Sequence, residues 1–226
     1  MSASRLILQT GLFIIVLAAL LFGAAGTVGW PAGWVFVAEM EITSLPIGFW
    51  LLRHDPALLK ERFSSPIQRG QERWDQFFMA ATLVIWPVWL ALMALDCQRF
   101  HWSLVPFALR VVGAVAIPVG MGAAFLAVRE NPYLSPVVKI QSERGHKVIE
   151  TGPYRYVRHP MYTGALIYHL GMPLLLGSWW GLALLPLIIA GVGWRAVREE
   201  QTLGQKLPGY ADYAHRVRWR LVPLIW

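Results

Sequence analysis

The chain has 226 residues, of which 56% are hydrophobic and only 15% charged, with 12 tryptophans and a formal net charge of +7 at pH 7. This composition excludes an ordinary soluble domain, and the length allows one domain or at most two. A single cysteine, Cys97, excludes an intramolecular disulfide and a thiolate metal cluster, and no metal site is predicted.

Apolar segments of about 20 residues, long enough to cross a bilayer, recur along the chain. We predict six of them, at 6–28, 32–52, 77–95, 104–128, 162–176 and 179–197. Only two residues, Gly177 and Ser178, separate the last two segments, which predicts a tight helical hairpin. The fifth segment is short for a full crossing. The sequence therefore predicts an all-α fold, a polytopic transmembrane bundle of about five to six helices.

Positive charge is unevenly distributed between the predicted connections. The N-terminus, the loops 53–76 and 129–161, and the tail from residue 195 hold 18 of the 20 Lys and Arg residues. By the positive-inside rule, both termini and these loops are expected in the cytoplasm. Their charge would face anionic headgroups, so membrane lipids are expected partners and nucleic acid is not. We divide the chain into N-terminal membrane helices, 1–128, and a C-terminal core, 129–226.

Ionisable residues also fall inside predicted helices, at Glu39, Glu41 and Arg110. A charge near the bilayer centre costs about 2.5–3.5 kcal/mol on insertion scales, so it usually has a partner. Glu39 and Arg110 lie at similar distances from the outer ends of their predicted segments. We therefore expect an ion pair between them.

A polar, turn-rich segment, QSERGHKVIETGPYRYVRHPMYTG, precedes the fifth apolar segment. Pro160 restricts His159 to extended geometry and suits the first turn of a helix. His159 is thereby expected at a helix mouth, where free N–H groups favour a carboxylate or phosphate. Tyr154 and Tyr162 add aromatic faces for a base or a sulfonium. Taken alone, these residues are equally typical of a basic juxtamembrane loop with aromatic anchors.

A second polar cluster, Arg195-x-x-Arg198-Glu199-Glu200, closes the last apolar segment. Arg195 and Glu199 are four residues apart, so they share a helix face and could form an ion pair. At the cytoplasmic end of the last helix they would face the mouth at His159. Together they offer a guanidinium for an anion and a carboxylate for a cation.

These motifs carry a resemblance to a known family. The stretch HKVIETGPYRYVRHPMYTG, the hairpin after it, and the pattern R-x-x-x-E-E followed by Y-x-x-Y-x-x-R-V resemble the isoprenylcysteine carboxyl methyltransferase family. That family belongs to a wider group with the phospholipid N-methyltransferases. The resemblance covers roughly 139–226, whereas the first hundred residues match only as generic membrane helices.

The resemblance implies a cytoplasmic site for S-adenosyl-L-methionine between the last two helices and the tail. It also implies that Arg195 engages the substrate carboxylate. The cofactor-binding positions that it implies are Gln141, His146, Lys147, Val148, Ile149, Tyr154, His159, Pro160, Met161, Tyr162 and Glu199.

The expected activity is methyl transfer to a lipid-like carboxylate such as that of prenylcysteine, whose prenyl or acyl tail enters from the bilayer. A carboxylate is already ionised at neutral pH and needs no general base. An amine acceptor, as in a phospholipid N-methyltransferase, must first lose a proton, and Glu199, Glu200 or His159 would be the candidate bases. The sequence is also compatible with a non-catalytic protein that binds anionic lipid, or with a reductase-like membrane enzyme that uses NADPH.

Overall fold

The protein is described here by a computed structural model covering residues 2–226. Within these residues every regular element is helical and there is no β-strand, which confirms the all-α prediction. The α-helices are α1 Ala3–Ala25, α2 Pro31–His54, α3 Pro56–Arg62, α4 Arg73–Ala94, α5 Phe107–Glu130, α6 Pro160–Leu176, α7 Trp179–Lys206 and α8 Tyr210–Arg216. A π turn at Leu95–Arg99 and 3-10 turns at Ser142–Arg144 and Gly152–Arg155 lie between them.

Five helices are long and apolar enough to cross a membrane: α1, α2, α4 with its π turn, α5 and α7. The chain is therefore an integral membrane protein, and the predicted bundle of five to six helices is confirmed. α6 has 17 residues, about 25 Å at 1.5 Å per residue, which is shorter than the roughly 30 Å hydrocarbon core. The predicted hairpin between α6 and α7 is present, with Gly177 in the left-handed conformation and Ser178 capping α7.

The short helix α6 packs on α5 through glycines of both helices. A Cβ atom on Gly120 would lie 2.5 Å from the backbone N of Tyr168. One on Gly164 would lie 2.5 Å from the backbone N of Ala124. No side chain fits at these distances, so the two backbones touch, as small residues permit at helix interfaces in membranes. This contact fixes α6, and hence the start of that helix, against α5.

The two ends of the bundle differ in what they hold. We call one end the loop-rich end; it holds α3, the segment 131–159, α8 and residues 217–226. The opposite end holds short connections that contact one another, since Gly26 packs against Arg99 and Ser178 donates to Asp96. α7 has 28 residues, about 42 Å, so it exceeds the hydrocarbon thickness. Its charged last turns belong to the loop-rich end.

The predicted ion pair between Glu39 and Arg110 is wrong. Arg110 Nε donates to Val105 O at 3.1 Å, and Glu39 Oε2 is buried without a hydrogen-bond partner in residues 2–226. α5 begins at residue 107 rather than 104, so Arg110 is three residues from the helix start, about 4.5 Å deep. Glu39 is eight residues into α2, about 12 Å deep. The difference in depth separates the two charges.

Candidate active site

The start of α6 is held by the end of the chain. Pro160 is the first residue of α6, and His159 precedes it in a non-helical conformation. The backbone N–H groups of Arg158 and His159 donate to Trp219 O and Arg220 O, each at 2.9 Å. His159 is thereby placed at the mouth of α6, where the proline rule expected it.

Glu199 of α7 faces this helix start. Tyr162 OH donates to Glu199 Oε2 at 2.6 Å, and His159 Nδ1 lies 3.9 Å from the same oxygen. The His159 and Tyr162 rings stack with centroids 5.3 Å apart. No lysine or arginine lies within 4 Å of the Glu199 carboxylate in the described part of the chain. Its negative charge is therefore available to a cationic ligand.

The neighbouring Glu200 is in a different electrostatic situation. Its carboxylate lies 2.8 Å from Arg158 Nε and 3.1 Å from His159 Nε2, and it accepts from Arg220 Nε at 2.9 Å. Two arginines thus neutralise it. Of the two adjacent carboxylates, Glu200 braces the helix start, whereas Glu199 is free to bind a cation.

Arg195 pairs with a residue that no sequence motif indicated, Asp75 in the first turn of α4. Arg195 Nε donates to Asp75 Oδ1 at 2.9 Å, and Arg195 Nη2 donates to Pro136 O at 2.7 Å. The other carboxylate oxygen of Asp75 accepts from Gln71 Nε2 and from Val138 N–H. Asp75 is fully buried and Arg195 is 9% exposed, so this pair is part of the protein interior.

The Arg195–Glu199 ion pair that the spacing would allow is therefore not formed. A carboxylate and a carbonyl from distant parts of the chain hold the guanidinium away from its neighbour on α7. Its Nη1 atom makes no hydrogen bond within residues 2–226, and its centre lies 5.7 Å from the centroid of the Tyr162 ring. Arg195 also lines a cleft at the loop-rich end.

A cleft opens at the loop-rich end between α6, α7, α8 and the segment after α5. It brings together ten of the twelve predicted site residues: His146, Lys147, Val148, Ile149, Tyr154, His159, Met161, Tyr162, Arg195 and Glu199. Pro160 and Gln141 are not among its lining residues. Gln141 is buried, and its side chain donates to Tyr133 O and accepts from Arg144. It supports the loop that bears His146.

His146 stacks on Tyr133, with ring centroids 4.6 Å apart, and its Nδ1 accepts from the Gln141 N–H at 3.3 Å. Partial burial lowers the pKa of His146, and the charge of nearby Arg144 lowers it further. The neutral imidazole is therefore the form that this wall of the cleft favours.

Tyrosines form the opposite wall. Tyr154 accepts from Asn131 Nδ2 at 3.2 Å, and its backbone carbonyl accepts from Tyr213 OH at 2.8 Å. Burial raises the pKa values of Tyr154, Tyr210 and Tyr213, so all three keep their hydroxyl protons. The repeated tyrosine of the Y-x-x-Y pattern signalled Tyr210 and Tyr213. Nothing local in the sequence signalled Asn131.

The fold and this cleft define the chain as a membrane protein with a polar, aromatic-lined site between its last helices. A family model described as phospholipid methyltransferase matches residues 108–208. That region contains α5, α6, α7 and most of the cleft.

Three curated proteins are similar to the chain. Protein-S-isoprenylcysteine O-methyltransferase of Schizosaccharomyces pombe is 26% identical over 149 residues, 58% of this chain and 63% of the relative. The Saccharomyces cerevisiae protein of the same name is 30% identical over 82 residues, 36% of this chain and 34% of the relative. Protein-S-isoprenylcysteine O-methyltransferase B of Arabidopsis thaliana is 29% identical over 126 residues, which are 52% of this chain and 58% of the relative. The chain thus spans less than two thirds of the length of each.

These matches confirm the resemblance that the motifs predicted. The chain is similar to proteins of the isoprenylcysteine carboxyl methyltransferase family, and its residues 108–208 match the phospholipid methyltransferase model.

Proposed function

We propose that the protein is an S-adenosyl-L-methionine-dependent methyltransferase that acts on a lipid-like carboxylate, such as the C-terminal carboxylate of an isoprenylcysteine. The observation that supports this most strongly is that one cleft is lined by both a carboxylate and a guanidinium that retain capacity to bind a ligand. Glu199 offers a carboxylate that has no Lys or Arg within 4 Å in the described residues, and Arg195 offers an Nη1 that makes no hydrogen bond there. Methyl transfer from a cationic sulfonium to an anionic carboxylate needs a negative group for the first and a positive group for the second.

The residues around Glu199 fit the proposed cofactor. S-Adenosylmethionine would supply an electrophilic methyl group on a sulfonium, and it has an ammonium group of its own. Glu199 can bind positive charge, and Tyr162, hydrogen-bonded to it, fixes the orientation of the carboxylate. The stacked rings of His159 and Tyr162 and the buried ring of Tyr154 offer flat surfaces. Pairing of Glu200 with arginines keeps a second negative charge away from the cleft.

Arg195 is proposed to position the acceptor. The ionised carboxylate needs no general base, so the task of the protein is to align the oxygen with the methyl group and to exclude water. Asp75 holds the guanidinium in place before the substrate arrives, so little ordering is needed on binding. The tail of the acceptor would lie in the bilayer. The excess of Lys and Arg at the loop-rich end supports a cytoplasmic site with both termini on that side.

An amine acceptor is the second candidate, and two observations favour it. The matching family model is that of the phospholipid methyltransferases. Asp75 also balances the positive charge of Arg195, which weakens its repulsion of an ammonium headgroup. Glu199 and His159, which both line the cleft, would then be the base candidates.

The experiment is methyl transfer in proteoliposomes, with radiolabelled S-adenosylmethionine and either a farnesylcysteine derivative or phosphatidylethanolamine. Labelling of the prenylcysteine alone supports the first proposal, and labelling of the phospholipid alone supports the second. Because Arg195→Ala alone would leave the buried Asp75 without its positively charged partner, the informative variant is Arg195→Gln with Asp75→Asn. It should still bind S-adenosylhomocysteine but lose turnover on the carboxylate. Full turnover would remove Arg195 from the substrate role.

A further inference from the structure

The end of the chain, residues 219–226, forms a structure of its own against the start of α6. We call residues 219–221 the tail clamp and residues 222–226 the tail hook. The clamp accepts the two backbone hydrogen bonds of Arg158 and His159, and Leu221 O accepts from Thr163 Oγ1 at 2.6 Å. Leu221 is 3% exposed and packs with Tyr162. The geometry of the α6 mouth therefore depends on the clamp.

The tail hook closes on itself. Trp226 O accepts from the backbone N–H groups of Arg220, Leu221 and Val222 at 2.9, 2.9 and 3.2 Å. The guanidinium of Arg220 lies 5.1 Å from the centroid of the Trp226 ring, a cation–π distance. The clamp and the hook are thus joined by hydrogen bonds, and displacement of the hook would break the bonds that hold residues 220 and 221 in place.

The tip of the hook is apolar and uncovered. Leu224 is 84% exposed and Ile225 is 77% exposed, and no residue of the hook carries a charged side chain that would favour contact with water. Adjacent large apolar side chains that are exposed mark a contact surface in most proteins.

The position of the hook along α7 indicates what covers this tip. The Trp226 ring packs against Gly193, at 3.4 Å from a Cβ built there. Gly193 stands where α7 changes from an apolar helix to the charged turn that begins at Arg195. Trp194 at the same level is 47% exposed, as expected for an aromatic residue at a membrane interface. The hook is therefore level with the point at which α7 changes from apolar to charged residues.

The charge that precedes the hook fits the same boundary. Three arginines precede the apolar tip: Arg216 pairs with Glu150, Arg220 pairs with Glu200, and the exposed Arg218 makes no ion pair within the described residues. A basic stretch next to exposed Leu, Ile and Trp is the pattern of a segment in the interfacial layer, with arginines among anionic headgroups.

We propose that the tail hook is seated in the bilayer interface and that this contact keeps the tail clamp on the start of α6. The partner is lipid: the acyl-chain boundary for Leu224 and Ile225, and anionic headgroups for Arg218, which is unpaired within residues 2–226. Membrane contact thus stabilises the mouth of the cleft, whichever acceptor the cleft serves.

The seat is tested by fluorescence quenching in proteoliposomes. In a Cys97→Ala background, a bimane label is attached to a cysteine in place of Ile225. The labels in place of Val88, an exposed residue of α4, and of Ser142, an exposed loop residue, are the lipid-facing and water-facing controls. We expect the label at 225 to be quenched by brominated acyl chains and shielded from iodide, as at 88. Quenching by iodide alone, as at 142, would contradict the location of the tip in the bilayer interface. The tip would then be a surface for another protein.

The coupling to the clamp is tested by amide hydrogen exchange in lipid nanodiscs. Leu224→Ser with Ile225→Ser should increase exchange at the amides of Arg158 and His159 about tenfold, which corresponds to about 1.4 kcal/mol. The control changes two equally exposed apolar residues at the opposite end, Leu104→Ser with Phe107→Ser, and should leave these amides unchanged. Equal exchange in the hook variant and in the wild type would overturn the coupling. Neither experiment needs cofactor, so both stand apart from the proposed activity.

Discussion

Helix α4 is flanked by a buried aspartate at each end, and the two differ in what they hold. At the opposite end, Asp96 accepts from the hydroxyls of Ser103 and Ser178 at 2.7 and 2.5 Å. At the loop-rich end, Asp75 accepts from Arg195 at 2.9 Å. Both carboxylates are fully buried, and both tie α4 to α7.

The difference lies in what remains available after these bonds are made. Ser178 Oγ also accepts from Gly181 N–H and Ser103 Oγ from Trp179 N–H, so both serine hydroxyls of the Asp96 cluster are engaged and the cluster caps α7. The second oxygen of Asp96, Oδ1, is buried without a hydrogen-bond partner in the described residues, away from the cleft lining. Arg195 keeps an unengaged Nη1 and lines the cleft. A buried carboxylate therefore fastens the helices at both ends, but only at Asp75 does it also orient a group that can meet a ligand.

The largest expected effect comes from breaking the pair at the loop-rich end. Asp75→Ala should lower the free energy of unfolding by about 3–5 kcal/mol, because it leaves a buried guanidinium without its partner. Chemical unfolding in detergent measures this change. Asp75→Ala combined with Arg195→Met removes both charges and should recover most of the stability. If the Asp75→Ala single variant is as stable as the wild type, the Asp75–Arg195 pair does not hold α4 against α7.

A smaller effect is expected at the opposite end. Asp96→Ala should cost about 1–3 kcal/mol of stability, because two serine hydroxyls and the start of α7 lose an acceptor. The affinity for S-adenosylhomocysteine, measured on the folded fraction, should not change. If Asp96→Ala lowers the ligand affinity without lowering the stability, then Asp96 does not differ from Asp75 in the way proposed.

The smallest expected effect concerns pH. The pKa of His146 is lowered in the folded protein, so below its ordinary value of 6.5 the unfolded chain binds more protons than the folded one. Its contribution to stability is complete above pH 6.5 and is lost as the pH falls through and below that value. As the pH is lowered from 7.5 to 5, the unfolding temperature should decline less steeply in His146→Gln than in the wild type. Parallel curves would assign the pH dependence to other groups.

The sequence predicted those parts of the fold that depend on local composition. Hydropathy predicted the membrane helices, and Gly177 with Ser178 predicted the last hairpin, because a left-handed glycine and a helix cap are local requirements. The predicted depth of Arg110 failed because the helix begins three residues later than predicted.

The site was predictable to the extent that its residues are close in sequence. The Pro160 rule and the tyrosines of the motif identified one wall, and the R-x-x-x-E-E pattern identified the residues facing it. Asp75 lies 120 residues from Arg195 in the chain, and only the packing of α4 on α7 brings the two together. The resemblance pointed to Glu199, but no local pattern showed how Glu200 differs from it, because Arg158 and Arg220, which pair with Glu200, belong to other segments.

The most direct test of the central claim is calorimetric titration of the purified protein with S-adenosylhomocysteine, comparing wild type, Glu199→Gln and Glu200→Gln. We predict saturable binding to the wild type. Glu199→Gln should weaken it about 100-fold, or about 2.7 kcal/mol, as expected for loss of a charge-assisted contact. Glu200→Gln, the matched change one residue away, should retain saturable binding. Equal affinity in wild type and Glu199→Gln, or no binding to a folded wild-type sample, would contradict the proposed methyltransferase site.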